Sequence, residues 1–484
     1  MKKKSMGINA VLNALRTALG AIFPLITFPY VSRILGVENI GRYNFSYSVV
    51  NYTALFAALG VHTYAVRECA TVREDRQKLN TMASEIFSIN LAATVIAYAA
   101  LFALCVIVPK FAENRALIYV FSLEIIFTTI GCEWVYPVFE DYLYITLRTL
   151  GVYIISMILL FALVHTERDL IKYTIVSAVS VCGANVANLI GRGKYCTICP
   201  TFKPNLKQHL LPIMTIFMNT VTTTVYVNSD VLILGLMTSD TYVGLYSVSV
   251  RIYTIIKRIL AAVITVSLPR LSNCWSNGEG DKLEEICRNI FNTLLILVAP
   301  AMVGLFAMSK QIVLLVSGSA FEQSQASLAM LSIALLFSLF NWFFTFCILI
   351  PSGNEKKVLQ GTVVAALVNI VFNIILISHF QERAAAFTTC MAEAVALGFS
   401  YVRSRRILKM QVKWGDIASI IAGCAVIVVV CLMTNCFVGK RTVVSLAIAI
   451  PASVAAYAVV LIAGKNRYVG EMLHSINRRL KKID

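Results

Sequence analysis

The sequence predicts an all-α, polytopic integral membrane protein of about fourteen transmembrane helices, built as two pseudo-symmetric six-helix bundles plus two C-terminal helices. Three observations carry this expectation. Charged residues are 14% of the 484 and hydrophobic residues 58%, whereas a soluble domain carries about 25% charged residues. With a mean hydropathy of +0.77, lipid must cover much of the surface. Apolar runs of roughly twenty residues, enough to span a bilayer, recur along the whole chain. Finally, a short Gly-x-Tyr pattern recurs in the two halves.

The predicted spans are 8–34, 44–66, 81–108, 116–138, 149–165, 171–191, 210–235, 243–268, 289–309, 324–350, 358–379, 386–402, 417–438 and 443–464. They group as a bundle over 1–200, a second over 201–409 and two further spans over 410–464. The N-terminal Lys2–Lys4 precedes an apolar run that contains Arg16 and lacks an A-x-A site, so it reads as a first span rather than a cleavable signal. Near 192–209, Gly191, Gly193, Pro200 and Pro204 break the helical pattern and separate six spans from eight. The halves look related. Ile34-Leu35-Gly36 and Gly41-Arg42-Tyr43 in one match Ile233-Leu234-Gly235 and Gly244-Leu245-Tyr246 in the other. Gly41 to Arg67 and Gly244 to Arg270 are equally spaced, as in parallel repeats about an axis along the membrane normal. After Gly464, Val469, Leu473, Ile476, Leu480 and Ile483 recur at helical spacing among basic residues, which predicts an amphipathic basic tail over 465–484.

The net charge is +17. In a soluble protein that would raise nucleic acid as a partner. Here the basic residues cluster between apolar runs, the pattern of cytoplasmic loops, and nucleic acid is not expected. Roughly 28 of the 42 basic residues fall on one side, which predicts an even span count with both termini in the cytoplasm. The thirteen cysteines lie mostly inside apolar runs. Cys196 and Cys199 form a CxxC in a basic loop, but no second Cys/His pair follows at zinc spacing, so no metal site is expected. There is no Walker loop, nucleophile elbow or zinc motif. With short loops and scattered histidines, neither an enzyme nor a cofactor is expected.

A charge inside a span is costly and asks for a reason. The basic candidates are Arg16, Arg33, Arg251, Lys257 and Arg258. Arg251 and Arg258, seven residues apart, share a helix face, and these cations suggest a positive interior for an anionic substrate. Arg16 and Arg251 have an alternative reading, in which their stems reach the bilayer surface. The acidic candidates are Glu85, Glu124, Asp230 and Glu393, as coupling groups or ion-pair partners. Asn219, Thr220, Thr222 to Thr224, Tyr226 and Asn228 form a polar stripe on span 7 that favours a cavity over lipid.

With these residues in view, the chain resembles the O-antigen-type polysaccharide flippases of the multidrug/oligosaccharidyl-lipid/polysaccharide exporter superfamily, over about residues 20 to 400. The motifs are Pro29-Tyr30-Val31-Ser32-Arg33-Ile34-Leu35-Gly36, Tyr64-Ala65-Val66-Arg67-Glu68 and Ser84-Glu85-Ile86. Glu133-Trp134-Val135-Tyr136 follows, with Glu140 and Arg148; Pro137 and Val138 replace the usual Gln-Gly, which puts a role for that Gln in doubt. In the second half, Tyr226, Asp230, Leu234-Gly235, Gly244, Tyr246, Pro269-Arg270, Asn369, Asn373 and Glu393 fall in family order, with Val231 where a lysine is frequent.

The resemblance implies a V-shaped pair of six-helix bundles around a central cavity, in a bacterial inner membrane. It implies as substrate an undecaprenyl-diphosphate-linked oligosaccharide for O-antigen, capsule or exopolysaccharide, moved by alternating access. Polymerase and chain-length components of the same pathway are implied partners. Gly36, Arg67, Trp134, Glu140, Gly235 and Arg270 would serve gating or structure. Two alternatives stay open: a cation-coupled multidrug exporter of the same superfamily, and a membrane-bound polysaccharide polymerase, which would be expected to show a large external loop.

Overall fold

A chain that crosses hydrocarbon can leave no backbone amide unpaired, and a helix satisfies its amides within one segment. In the computed structural model, every regular element among the described residues is helical. The structure describes residues 6–408, 414–438, 441–464, 466 and 468–470, and for 6–11, 13–19, 21–22 and 414–415 the backbone alone. Most of the predicted tail over 465–484 and the side chain of Arg16 therefore lie outside the described residues.

In chain order the first helices are α1 Met6–Ala58, α2 Val61–Thr71, α3 Arg76–Ile107, α4 Pro109–Glu113 and α5 Arg115–Gly131. Next come α6 Val135–Val138, α7 Tyr142–Leu163, α8 Leu170–Gly191, α9 Leu206–Met237 and α10 Asp240–Ser276. The remainder are α11 Gly280–Ala307, α12 Ser309–Ser317, α13 Ser324–Phe343, α14 Glu355–Ser404, α15 Trp414–Val438 and α16 Thr442–Ala463. Asp75 starts α3 by accepting from the backbone N–H groups of Gln77 and Lys78. The Lys78 N–H holds its carboxyl below the usual carboxylate range, as expected of an N-cap.

Twelve helical stretches among the described residues are long and apolar enough to span. Two contain enough helix for two crossings. α1 has 53 residues and α14 has 50, while about 20 suffice. Each is broken, at Gly36 (φ 76°, ψ 177°) and at Gln381 (φ 46°, ψ −125°). Side-chain contacts show that each break reverses the chain. α7 and α8 are antiparallel, with Tyr144 bonded to the Ala187 carbonyl and Val152 beside Gly183. Before Gly36, Phe23 stacks on Tyr153 and Tyr30 donates to the Val164 carbonyl, so 6–35 follows α7. After Gly36, Asn39 donates to the Glu167 carbonyl and Tyr43 bonds Ser177, so 37–58 follows α8 back. In α14, Thr388 Oγ1 donates to Asn373 Oδ1 at 2.6 Å, whereas fifteen residues of straight helix would part them by about 22 Å. Counting both arms of each hairpin gives the fourteen spans of the hydropathy pattern.

Several boundaries differ from expectation. The second span starts at 37, not 44, because Glu38, Asn39, Arg42 and Asn44 mask the helix start. It ends at Ala58, where Leu59 and Gly60 take positive φ. The fourth ends at Gly131, before left-handed Cys132. The fifth starts at Tyr142, which puts Arg148 inside a helix rather than in a loop.

By contacts the chain divides into two compact units, Met1–Gly244 and Leu245–Asp484. This boundary falls one helix beyond the loop at 192–209, because α9 packs on α1 and α2. One core of the first unit joins Tyr64, Leu79, Ile86, Trp134, Tyr136, Ile145 and Cys196. In the second unit α15 and α16 pack on each other and on α11, with Tyr457 donating to the Ile296 carbonyl at 3.0 Å.

In the first unit, glycine serves both a helix break and a close helix approach. At Gly36, positive φ with ψ near 180° is open essentially to glycine alone. At Gly41 an added Cβ would lie 1.7 Å from the Asp240 carbonyl oxygen, and one at Gly244 would lie 2.1 Å from that of Val37. The glycines of the recurring Gly-x-Tyr pattern thus allow one close helix approach. Gly36→Ala is expected to cost about 1–3 kcal/mol, and Gly41→Ala to lower the thermal unfolding temperature of the detergent-solubilised protein. Gly304→Ala, with nothing within 4 Å of its added Cβ, should not. Equal midpoints for Gly41→Ala and Gly304→Ala would contradict the close approach.

Candidate functional site

In the second unit the carboxylate of Glu393, in the second arm of α14, is buried and partnered. Three donors converge on its Oε1. Lys257 Nζ lies 3.2 Å away, Ser338 Oγ donates at 2.7 Å and Tyr253 Oη at 3.4 Å. Tyr253 and Lys257 are one turn apart on α10, the spacing that puts two side chains on one face. The Lys257 ammonium also lies 5.5 Å from the ring centres of Tyr253 and Trp342, within cation–π range. Both charges are largely withdrawn from solvent, at 18% and 6% side-chain exposure. A lone buried charge would be far costlier than this matched pair. The sequence reading treated Lys257 as a cavity cation; here its charge is already balanced.

Arg251 and Arg258 lie on an exposed part of the same helix. Arg258 has no ion-pair partner among the described residues and stands at the midpoint of α10. Arg33, Arg67 and Arg270 are exposed as well. Arg67 pairs with Glu68 at 2.8 Å and lies over the Tyr64 ring.

The other acidic candidates separate by environment. Glu85 meets His209, with Nε2 2.9 Å from its Oε2, while Tyr64 Oη is 2.8 Å from His209 Nδ1. His209 is wholly buried, so α2, α3 and α9 are tied by one chain of polar contacts. Asp230 is buried on α9 and lies within electrostatic reach of Tyr52. Glu124, half-buried on α5, makes no hydrogen bond or ion pair among the described residues.

Of the motif residues, Trp134 is buried at the start of α6. Glu140 holds a left-handed φ of 54° and pairs with Arg73 at 3.0 Å. Gly235 lies against Phe45, whose ring an added Cβ would meet at 2.1 Å. On the polar stripe of α9, Asn219, Thr220, Thr222 and Thr223 each donate to the carbonyl four residues back, as Thr215 does one turn earlier.

Sequence reasoning missed two features. Arg148 is buried within α7, with Nη2 3.5 Å from Glu133 Oε1 and Nη1 donating to Asn188 Oδ1. Tyr136 Oη also donates to the Asn188 carbonyl at 2.7 Å. The signal was the shared occurrence of Glu133 and Arg148 in one motif. The second feature is the loop after α8. The backbone N–H groups of Thr197, Cys199 and Thr201 donate to Asn80, Ser84 and Ser88 at 2.8–3.1 Å. Two residues of extended chain advance about 6.6 Å and four of helix about 6 Å, so every second amide meets every fourth side chain. Cys196 is buried on this strap, and burial pushes its thiol up to about 11. Among the described residues, no three of His, Cys, Asp and Glu come together to hold a metal ion.

The family described as "Polysaccharide biosynthesis protein" matches residues 7–275. A "Putative O-antigen transporter" of Escherichia coli (strain K12) is 22% identical over 412 residues, covering 84% of this chain and 99% of that protein. A "Probable low-salt glycan biosynthesis flippase Agl15" of Haloferax volcanii is 26% identical over 204 residues, 40% of this chain and 42% of that one. Among solved structures, "Lipid II flippase MurJ, inward closed conformation" matches with TM-score 0.76 at 15% identity, over 94% of this chain and 99% of that chain. An inward-facing multidrug resistance MATE family transporter of the MOP superfamily matches with TM-score 0.60 at 14% identity, over 82% and 97%. At these identities the structures establish the fold.

The Lys257–Glu393 contact is testable by a double-mutant cycle. Lys257→Met and Glu393→Gln should each lower the unfolding midpoint, and the double variant should lose less than their sum. The coupling expected is about 0.5–3 kcal/mol; strict additivity would show that the pair does not interact.

Proposed function

Because this chain belongs to the polysaccharide biosynthesis protein family, we propose that it is a flippase for an undecaprenyl-diphosphate-linked oligosaccharide, carried from the cytoplasmic to the outer leaflet by alternating access. The polymer is O-antigen, capsule or exopolysaccharide. The chain is a transporter, not an enzyme. It acts in the inner membrane with both termini in the cytoplasm, as the excess of basic residues on that side requires. Its product passes to the polymerase and chain-length components of the same pathway.

The observation that carries this reading is Arg258, exposed at the midpoint of α10. Arginine facing lipid at a helix centre costs about 2.5–3.5 kcal/mol or more, so its guanidinium faces water. Arg251, two turns earlier on the same face, extends the cationic strip. A diphosphate is multiply anionic and cannot cross hydrocarbon unaided. Planar guanidinium groups replace its hydration with paired N–H···O bonds, while the prenyl tail stays in the bilayer. Lys257, balanced by Glu393, shapes the strip without adding net charge. Arg16 and Arg33 are proposed to contribute further cations. Asp230 and Glu393 are proposed carriers of a coupling proton or sodium ion.

The test is movement of a fluorescent prenyl-diphosphate disaccharide in proteoliposomes, read by quenching of the outer leaflet. Arg258→Ala should slow the initial rate at least about tenfold, equivalent to about 1.4 kcal/mol, with unchanged elution on gel filtration. Arg258→Lys should recover part of the rate. A full rate in Arg258→Ala sinks the cationic-strip mechanism.

A further inference from the structure

A groove of about 850 Å³ lies within the second unit, among α11, α13 and the second arm of α14. Its volume falls in the range of ligand sites, about 300–1,000 Å³. The flippase reading assigns it no task. Its walls are almost wholly apolar. Phe291 packs on Phe340 with ring centres 4.9 Å apart. Phe344 opens a π-helical stretch, Phe344–Leu349, a rare form that recurs at functional sites. Gly398 is exposed on the α14 side, and a Cβ added there would meet nothing within 4 Å. Polar groups gather at one end. Tyr401 stands edge-on to Phe344 with ring centres 5.6 Å apart, and Arg405 follows one turn later. Both are exposed, and neither the Tyr401 hydroxyl nor the Arg405 guanidinium makes a hydrogen bond or ion pair among the described residues. The residues 409–413 that follow bring Lys409 and Lys413 and no acid.

We infer that this groove holds one acyl chain of an anionic glycerophospholipid, with the lipid phosphate on Arg405 and Tyr401. The inference does not depend on the flippase reading. Length identifies the tail. Ala394 and Arg405 both line the groove, and the helix rise between them carries it about 16 Å. A hydrocarbon core of about 30 Å is two acyl chains thick, so one chain reaches about 15 Å. An undecaprenyl tail is far longer, and most of it would lie outside. Charge identifies the head. A guanidinium offers a phosphate two parallel N–H···O bonds, and the tyrosine hydroxyl adds a third donor. Basic pockets between spans at the cytoplasmic surface suit anionic lipid, and in the proposed orientation Arg405 stands on that side. A zwitterionic lipid would bring its own cation beside Arg405 and gain less. The chain itself fills the open space that Gly398 leaves against the aromatic wall.

The experiment uses the full chain in neutral detergent, titrated with dioleoyl phosphatidylglycerol, dioleoyl phosphatidylcholine or undecaprenyl phosphate. Native mass spectrometry counts the bound lipid. Wild-type protein should bind phosphatidylglycerol about fivefold more tightly than phosphatidylcholine, the effect of one basic residue at a lipid surface. Arg405→Gln should remove that preference. Arg406→Gln, which makes the same change in net charge outside the groove, should keep it. Gly398→Leu, which fills the groove, should remove the tightest phosphatidylglycerol adduct with unchanged elution on gel filtration. Equal losses in Arg405→Gln and Arg406→Gln would show general attraction to a basic surface and overturn the site. Undisturbed binding in Gly398→Leu would overturn the seat of the chain. Undecaprenyl phosphate that displaces phosphatidylglycerol at equal concentration would assign the groove to a prenyl tail instead. Wild-type protein with no preference between the two phospholipids overturns the inference outright, whether detergent or residues 409–413 fill the groove.

Discussion

Hydrocarbon offers no partner to an amide, a hydroxyl or a charge, and every polar group within a span must find one inside the protein or in water. The rest of this structure follows from that condition. It leaves helices as the regular elements and turns the hydroxyls of Thr215, Thr220, Thr222 and Thr223 back onto carbonyls of α9. It also explains why Glu393 gathers Lys257, Ser338 and Tyr253 onto a single oxygen. Arg148 is treated similarly by Glu133 and Asn188, but incompletely, since its Nε has no bond. An incompletely satisfied buried group costs stability.

The same condition pushes irregular backbone to the helix ends. The non-glycine residues of positive φ among those described are Leu59, Cys132, Glu140 and Gln381, and each stands where a helix stops or turns back. Glu140 is anchored by Arg73, which also reaches the Val138 carbonyl. The strap at Thr197–Thr201 solves a related problem. Its amides would otherwise need water, and α3 supplies acceptors at a matching rise. With His209 clamped between Tyr64 and Glu85, it fastens the start of α9 to the first unit.

Much of the fold was legible in the sequence because hydropathy reports a one-dimensional property. Fourteen apolar runs become fourteen spans, and only their ends move. The errors lie where polar residues sit inside helices. Asn39 and Asn44 bond to carbonyls four residues back, which lets them start a span early, and Arg148 enters α7 because Glu133 and Asn188 await it. The site was less legible. The sequence singles out charges in spans but gives no distances, so Lys257 and Arg258 read alike. One is paired and the other exposed, because adjacent helix positions point about 100° apart.

By itself, the sequence determined the class, the span count, the excess of basic residues on one side and the residues that carry charge into the bilayer. These follow from composition and order along one dimension. Only the tertiary structure decided which charges meet. Lys257 and Glu393 are 136 residues apart, and His209 and Glu85 are 124 apart. Pairing at such separations depends on helix rotation and packing, which no local pattern encodes.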